Sequence, residues 1–167
     1  MEILKSNEPA ELVAEKINKK LYEYKGEPVL LMLSGGSSLS VLDHIDTSHL
    51  GPHVTITILD ERFSVDLSIN NFAQIKNTNF YQKALANGAD TISTLISPND
   101  SLVEAGDRFS NALRQWRNRY PNGVVLATMG AGTDGHTAGI FAGDYGVDFS
   151  NPAWVVAYKL PLETNPH

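Results

Sequence analysis

Two consecutive segments carry the clearest fold signal in this chain, Val124-Val125-Leu126-Ala127-Thr128 and Met129-Gly130-Ala131-Gly132-Thr133-Asp134-Gly135-His136-Thr137-Ala138-Gly139-Ile140-Phe141-Ala142-Gly143. The first segment is apolar and ends in a β-branched residue, which predicts a short buried strand. The second holds five glycines in fifteen residues, and ordering each glycine costs backbone entropy, so a continuous helix is disfavoured. A strand followed by a glycine-rich turn and a possible helix start is where open α/β sheets bind ligands.

One carboxylate and one imidazole lie two residues apart in this turn, at Asp134 and His136. Because imidazole changes charge near neutral pH, a histidine beside a carboxylate is a candidate general base. The alternative is that Asp134-Gly135 is an ordinary turn pair and His136 an incidental surface histidine, since Asp-Gly is common in turns. The rest of the chain has to decide between these interpretations.

Alternating strands and helices predict the fold class. Helices are expected over residues 7–24, 70–86 and 98–120, and a short one near 39–42. Besides the segment at 124–128, strands are expected at residues 29–33, 54–59, 92–96 and 154–158. This alternation predicts an α/β fold with a doubly wound, largely parallel sheet and helices on both faces.

Two more polar segments directly follow predicted strands. Ser34-Gly35-Gly36-Ser37-Ser38 comes after the first strand, where backbone N–H groups and hydroxyls can cradle an anion. It lacks the Lys-Ser/Thr ending of a Walker loop, and a plain serine-glycine connector is an equally good interpretation of this segment alone. Asp60-Glu61-Arg62 follows the second strand, and its alternative is a solvated strand end with an Asp–Arg pair. Because all three polar segments follow strands, we expect them at the same edge of the sheet.

Composition narrows the functional classes. The 167 residues carry a net charge of −6 and no basic run longer than Lys19-Lys20, which disfavours a nucleic-acid partner. There is no cysteine, so disulfides and thiolate catalysis are excluded. The first residues do not resemble a signal peptide, and no apolar run approaches the roughly 20 residues that span a bilayer. We therefore expect a soluble cytoplasmic protein without a membrane partner.

Three histidines, His44, His49 and His53, surround Gly51-Pro52. No cysteine accompanies them, and the proline interrupts any helical face that would present them together. They are interpreted as solvated loop histidines, and no metal site is expected.

The three polar segments together resemble the 6-phosphogluconolactonase family, part of the glucosamine-6-phosphate isomerase/6-phosphogluconolactonase superfamily. The family pattern has Ser-Gly-Gly-Ser after the first strand, Asp-Glu-Arg after the second, and Gly-x-Gly-x-Asp-Gly-His-Thr-Ala later. Here these stand at Ser34–Ser37, Asp60–Arg62 and Gly130–Ala138, in the same order and over nearly the whole chain. The resemblance implies hydrolysis of 6-phospho-D-glucono-1,5-lactone in the pentose phosphate pathway, with a phosphorylated sugar lactone as ligand and no metal or organic cofactor.

The resemblance also implies roles for the site residues. His136 would activate water, with Asp134 orienting the ring or holding the turn. Arg62 and the serine-glycine loop would hold the phosphate, Asp60 and Glu61 would position Arg62 and the sugar hydroxyls, and backbone amides of the glycine loops would stabilise the oxyanion. The substrate-binding candidates are Ser34, Gly35, Gly36, Ser37, Ser38, Asp60, Glu61, Arg62, Gly130 and Gly132.

Two other functions stay open beside the lactonase. The related glucosamine-6-phosphate deaminase has Tyr where this chain has Arg62, and a catalytic Glu where this chain has Phe141. A sugar-phosphate-binding domain without turnover is the other, because Leu39 and Gly139–Ala142 depart from the lactonase pattern.

Family members are also longer than this chain. We expect residues 1–167 to form a single domain that lacks the C-terminal part of the family fold and has weak or absent lactonase activity alone. The pattern predicts no oligomeric state.

Overall fold

The computed structural model describes residues 3–141, 147–148, 150 and 152–160. In this part of the chain a sheet forms from β1 (Val29–Leu33), β2 (Val54–Ile58), β3 (Asp90–Thr91) and β4 (Val124–Ala127). The strand order is β3-β2-β1-β4, and every pairing is parallel. The chain runs outward from β1 to β3 and then returns to the other side of β1. This reversal makes the sheet doubly wound, and the predicted fold class is confirmed.

The helices occupy most of the predicted segments. Their bounds are α1 (Pro9–Glu23), α2 (Asn71–Lys76), α3 (Asn79–Ala86) and α4 (Leu102–Arg119), with 3₁₀ helices at Gly36–His44 and Thr47–His49. The stretch 70–86, predicted as one helix, is two, because the side chain of Thr78 accepts a hydrogen bond from the backbone N–H of Tyr81 and starts α3 anew.

Helices cover both faces of the sheet. Successive strand residues point to opposite faces of the sheet, so Leu31 and Met32 of β1 face the helical layers on opposite sides. Leu31 lines a groove with Val13 and Ile17 of α1, whereas Met32 lines a cavity with Phe109 of α4. The two-sided arrangement explains why β1 is apolar without polar alternation.

The core is centred on β1 and β2, and every residue of β2 is buried. Trp116 of α4 is buried as well, and its Nε1–H donates to Thr55 Oγ1 over 3.1 Å. This bond satisfies two polar groups inside the core and fixes α4 across β2. No helix in the described ranges is long and apolar enough to cross a membrane.

Two predicted strands are wrong. In place of 92–96 the structure has only Asp90–Thr91, because the Thr57 hydroxyl donates to Ile92 O at 2.9 Å and the chain then leaves the sheet. In place of 154–158, the described residues 152–160 contain no strand. The backbone N–H of Trp154 donates to Ser110 Oγ of α4 instead, so this segment lies on the helix. The predicted end of the chain, residues 161–167, lies outside the described residues.

Candidate active site

The carboxyl ends of β1, β2 and β4 lie side by side, so the three polar segments emerge at one edge of the sheet. The order of the strands reverses between β1 and β4, which is the position where open α/β sheets hold their ligands. The serine-glycine segment and the glycine-rich turn leave from these two strands. The Asp60–Arg62 segment leaves from β2 next to them.

The glycine-rich turn holds the predicted pair in direct contact. His136 Nδ1 lies 2.5 Å from Asp134 Oδ1, and the His136 backbone N–H donates to the same oxygen over 3.2 Å. These hydrogen bonds hold the pKa of the Asp134 carboxyl below its ordinary value. The imidazole is 28% exposed, so solvent reaches a ring whose orientation the carboxylate sets.

The turn depends on glycine at two positions. Gly135 has a φ of 85°, a left-handed conformation that favours glycine, and its N–H donates to Gly132 O. Gly132 itself donates to His136 O at 2.8 Å. A Cβ at Gly132 would overlap both the imidazole and the Asp134 carboxylate. The glycine spacing therefore makes room for the His–Asp contact.

A second tight turn follows the histidine, where a helix start had been considered possible. Thr137 and Ile140 exchange backbone hydrogen bonds of 3.1 and 2.8 Å, and the Thr137 hydroxyl donates back to Gly130 O over 2.7 Å. Phe141 then stacks on the imidazole of His136, with ring centroids 4.5 Å apart and an interplanar angle of 21°. The imidazole is thus held by a carboxylate at one atom and an aromatic ring on one face.

The serine-glycine segment is tied to the end of β4. Ser34 N–H donates to Thr128 Oγ1 at 2.9 Å, and Ser34 Oγ–H donates to Thr128 O at 2.8 Å; both residues are buried. Past this link, Gly36 takes a φ of 62° and begins a 3₁₀ helix. Further along, a Cβ at Gly130 would lie 3.0 Å from Ser38 Oγ, so the two loops are close together.

The side-chain carboxylate of Glu61 accepts hydrogen bonds from the first residues of α2. Its Oε1 accepts from the backbone N–H groups of Arg62 and Asn71 over 2.7 and 2.6 Å. Its Oε2 accepts from Phe72 N–H over 3.1 Å and from the Thr94 hydroxyl over 2.6 Å. Burial raises the pKa of the Glu61 carboxyl, and these four donors oppose that rise. The carboxylate holds the second loop onto the helix.

Asp60 faces the other loops. Burial raises the pKa of its carboxyl, and the nearby side chains of Arg62 and His136 oppose the rise. A Cβ at Gly139 would lie 3.1 Å from Asp60 Cβ, so the second loop packs on the turn after His136. The guanidinium of Arg62 forms no hydrogen bond or salt bridge with the residues that the structure describes.

Asn71 and Thr128 are site-building residues that the sequence interpretation missed. The Asn71 side-chain amide donates to Asp60 O over 2.9 Å and lies where a Cβ of Gly35 would be, so it joins the first loop to the second. The only sequence signal for Asn71 and Thr128 is that each is a polar residue at the end of a strand or the start of a helix. This signal does not predict which residue each side chain contacts.

Two cavities open beside the loops. One, of about 450 Å³, is lined by Asp60, Glu61 and Gly139, and by an apolar wall from α4. The other, of about 700 Å³, is lined by Ser37, Ser38 and α1. His136 is not a lining residue of either cavity. The chemistry is therefore assigned from the contacts of the turn and not from cavity shape.

Within the described ranges, no group of three or more His, Cys, Asp or Glu side chains has the arrangement of a metal site. His49 Nε2 lies 3.6 Å from Asp46 Oδ2, and His44 Nδ1 lies 3.9 Å from Glu11 Oε1. His53 is not a fully solvated loop histidine: its Nε2 atom is buried, and burial lowers its pKa.

A family profile described as glucosamine-6-phosphate isomerases/6-phosphogluconolactonase matches residues 5–167, and the chain belongs to this family. Its fold is similar to that of a putative 6-phosphogluconolactonase from Neisseria gonorrhoeae FA 1090, at 22% identity and a TM-score of 0.53, over 82% of this chain and 59% of that one. It is also similar to a 6-phosphogluconolactonase from Shewanella baltica OS155, at 24% identity and a TM-score of 0.56, over 80% of this chain and 57% of that one.

The chain thus spans about three-fifths of the length of these two solved structures. At these identities the similarity establishes the fold alone. No curated protein matches the sequence.

Proposed function

We propose that this site hydrolyses 6-phospho-D-glucono-1,5-lactone to 6-phosphogluconate, with His136 activating the attacking water. The observation that carries the proposal is the 2.5 Å contact between His136 Nδ1 and Asp134 Oδ1. It lies in a glycine turn at the same sheet edge as the serine-glycine segment. At this edge of the sheet, the serine-glycine segment can bind a phosphate group, and the histidine can act as a base near an electrophilic carbon of the same substrate.

The His–Asp contact supports one tautomer of the imidazole, with the proton on Nδ1. When Nδ1–H donates to Asp134, the lone pair of the neutral ring is on Nε2, and this nitrogen accepts a proton from water. The water oxygen attacks the lactone carbonyl C1, and the C1–O5 bond breaks. The imidazolium then returns the proton to O5, which leaves as a hydroxyl, so one water is consumed and no other reactant is needed. Asp134 stabilises the imidazolium between these steps.

Phosphate binding needs local donors, because the chain carries a net charge of −6. Arg62 supplies a guanidinium that no described residue engages, and its fork geometry suits a phosphate. Backbone N–H groups and hydroxyls of the loop that begins at Gly36 are the second source of donors. Backbone amides of the turn around Gly130 and Gly132 are the candidates for stabilising the oxyanion.

A glucosamine-6-phosphate deaminase is the second candidate, because the family includes such isomerases. The position where that enzyme pattern has a glutamate is occupied by Phe141, whose ring stacks on His136. The acid–base relay of ring opening would lack a member here, so the lactonase is favoured. A sugar-phosphate-binding domain without turnover is the third candidate.

A direct assay separates these functions. Freshly generated lactone is incubated with residues 1–167, and acid release above the spontaneous rate is measured beside ammonia release from glucosamine 6-phosphate. His136→Ala is the matched control that distinguishes a weak enzymatic rate from background. We expect lactone hydrolysis that the control loses. Ammonia release alone supports the deaminase, and binding of 6-phosphogluconate without either reaction supports the binding domain.

A further inference from the structure

We propose that Thr128 is a positioning residue that holds the anion cradle against the catalytic turn, and that Ser34 serves this link instead of binding the phosphate. The proposal deepens the function proposed above and rests on it, since the anion is taken to be the phosphate of the substrate. It concerns a contact between residues 94 positions apart in the chain.

The contact consists of two hydrogen bonds, both donated by Ser34 and accepted by Thr128, and it is buried. Thr128 offers Oγ1 to the backbone N–H of Ser34 and its carbonyl to the Ser34 hydroxyl, over 2.9 and 2.8 Å. Its own N–H donates to Met32 O at 2.9 Å, which continues the β1–β4 pairing beyond the last strand residue. Thr128 therefore joins the two loops at the reversal of the sheet, where no further strand pairing holds them together.

The donors of Ser34 are fully used by this contact. A serine has one backbone N–H and one hydroxyl proton, and here both point to Thr128. A phosphate dianion only accepts hydrogen bonds, so Ser34 has no donor left for it. The phosphate donors of the first loop must then come from the residues after the link, from Gly36 to Ser38.

Thr128 is also linked to the catalytic histidine. Two residues after it, Gly130 O accepts from the hydroxyl of Thr137, which is adjacent to His136. Gly130 also lies close to Ser38 Oγ of the cradle. The Thr128–Ser34 contact thus fixes the spacing between the group that holds the phosphate and the imidazole that must reach C1.

The test is a double-mutant cycle read by ligand binding. Thr128→Val, Ser34→Ala and the double variant are compared for the Kd of 6-phosphogluconate and of inorganic phosphate by calorimetry. We expect Thr128→Val to weaken both ligands about tenfold, because the unpaired Ser34 N–H displaces the cradle. Thr128→Val removes the acceptor of the Ser34 N–H, and Ser34→Ala removes the hydroxyl that donates to Thr128 O, so each breaks a different hydrogen bond of the same link. Their effects should be non-additive, since losing either bond loosens the other. Thr128→Ser keeps Oγ1 and should bind within about twofold of the wild type.

Thr57→Val is the matched control for lost stability, because Thr57 is also a buried threonine whose hydroxyl bonds to a backbone group, here by donating to Ile92 O just beyond β3. It should lower Tm while leaving both Kd values unchanged. Normal binding by Thr128→Val with weak binding by Ser34→Ala would overturn the proposal and make Ser34 a direct ligand. Normal phosphate binding without lactone hydrolysis by the wild type would overturn only the proposed reaction, and the cycle would still test the link. A wild type that binds neither ligand would overturn both.

Discussion

Replacing Glu61 with alanine tests whether this carboxylate organises the second loop of the site. Glu61 accepts four hydrogen bonds, three from backbone N–H groups and one from Thr94. Leaving a buried donor unpaired costs about 1 kcal/mol or more. The four donors together lose about 4–6 kcal/mol, and removing a carboxylate whose pKa is raised by burial offsets part of this loss. The expected net loss of stability is therefore on the order of a few kcal/mol, below the sum for the four donors.

The assay is urea unfolding at pH 7, followed by circular dichroism and extrapolated linearly to water. The matched control is Asp66→Ala, because Asp66 also accepts hydrogen bonds, from the Ser68 N–H and hydroxyl, but is exposed. We expect a lower midpoint with an unchanged slope for Glu61→Ala, and no measurable change for the control. Equal small losses in both variants would refute the conclusion that Glu61 holds the start of α2.

Four further substitutions address the chemistry. His136→Ala should lower kcat for lactone hydrolysis by about 10²–10⁴-fold, while His49→Ala leaves it unchanged; a near-normal kcat would remove His136 from the mechanism. Gly132→Ala should lower kcat in the same way, because the new Cβ displaces the imidazole from Asp134, and an intact His–Asp contact in its crystal structure would contradict this. Burial raises the pKa of Asp60 in the folded state above its value in the unfolded state. The wild-type protein is therefore most stable below the unfolded-state pKa, where Asp60 is protonated in both states, and it loses stability as pH rises through the folded-state pKa. Asp60→Asn should therefore gain more stability over the wild type at pH 7 than at pH 4, and urea unfolding with no such trend would show that burial does not control this group. Arg62→Ala should weaken binding of 6-phosphogluconate far more than binding of gluconate, and equal losses in calorimetry would place the phosphate elsewhere.

The sheet was predictable where a strand is buried on both faces. β1 and β2 are buried along almost their whole length between the layers of helix. β4 was also predicted as a buried strand, and this predicted burial is wrong, because its residues alternate between half-buried and exposed. The segment at 92–96 contains three β-branched residues, but the Thr57 hydroxyl donates to Ile92 O and the strand there is only the two residues Asp90–Thr91. The segment at 154–158 has high β-propensity but lies on α4. β-propensity is a property of one segment, whereas strand pairing also depends on whether a neighbouring strand offers its backbone groups.

The three loops of the site were predictable for a topological reason. In a parallel sheet the carboxyl ends of neighbouring strands share one edge, so polar residues directly after strands are brought together whatever their separation in the chain. The contacts that join the loops were not predictable in this way. Thr128 and Asn71 act through partners in other loops, and a single sequence does not reveal which side chains meet across a sheet edge.

Two neighbouring carboxylates follow β2, and their local contacts give them different roles. The sequence alone does not distinguish these roles. Asp60 and Glu61 are adjacent, both are partly buried, and burial raises the pKa of both. Glu61 is surrounded by donors from its own loop and from α2, so its oxygens are already occupied. The Asp60 carboxylate accepts no hydrogen bond from the residues that the structure describes, and it lies near the side chains of Arg62 and His136. Because a buried carboxylate without hydrogen-bond donors is costly, Asp60 gains most from a ligand that offers hydroxyl donors, and of the two it is the one that we propose for contact with a sugar hydroxyl.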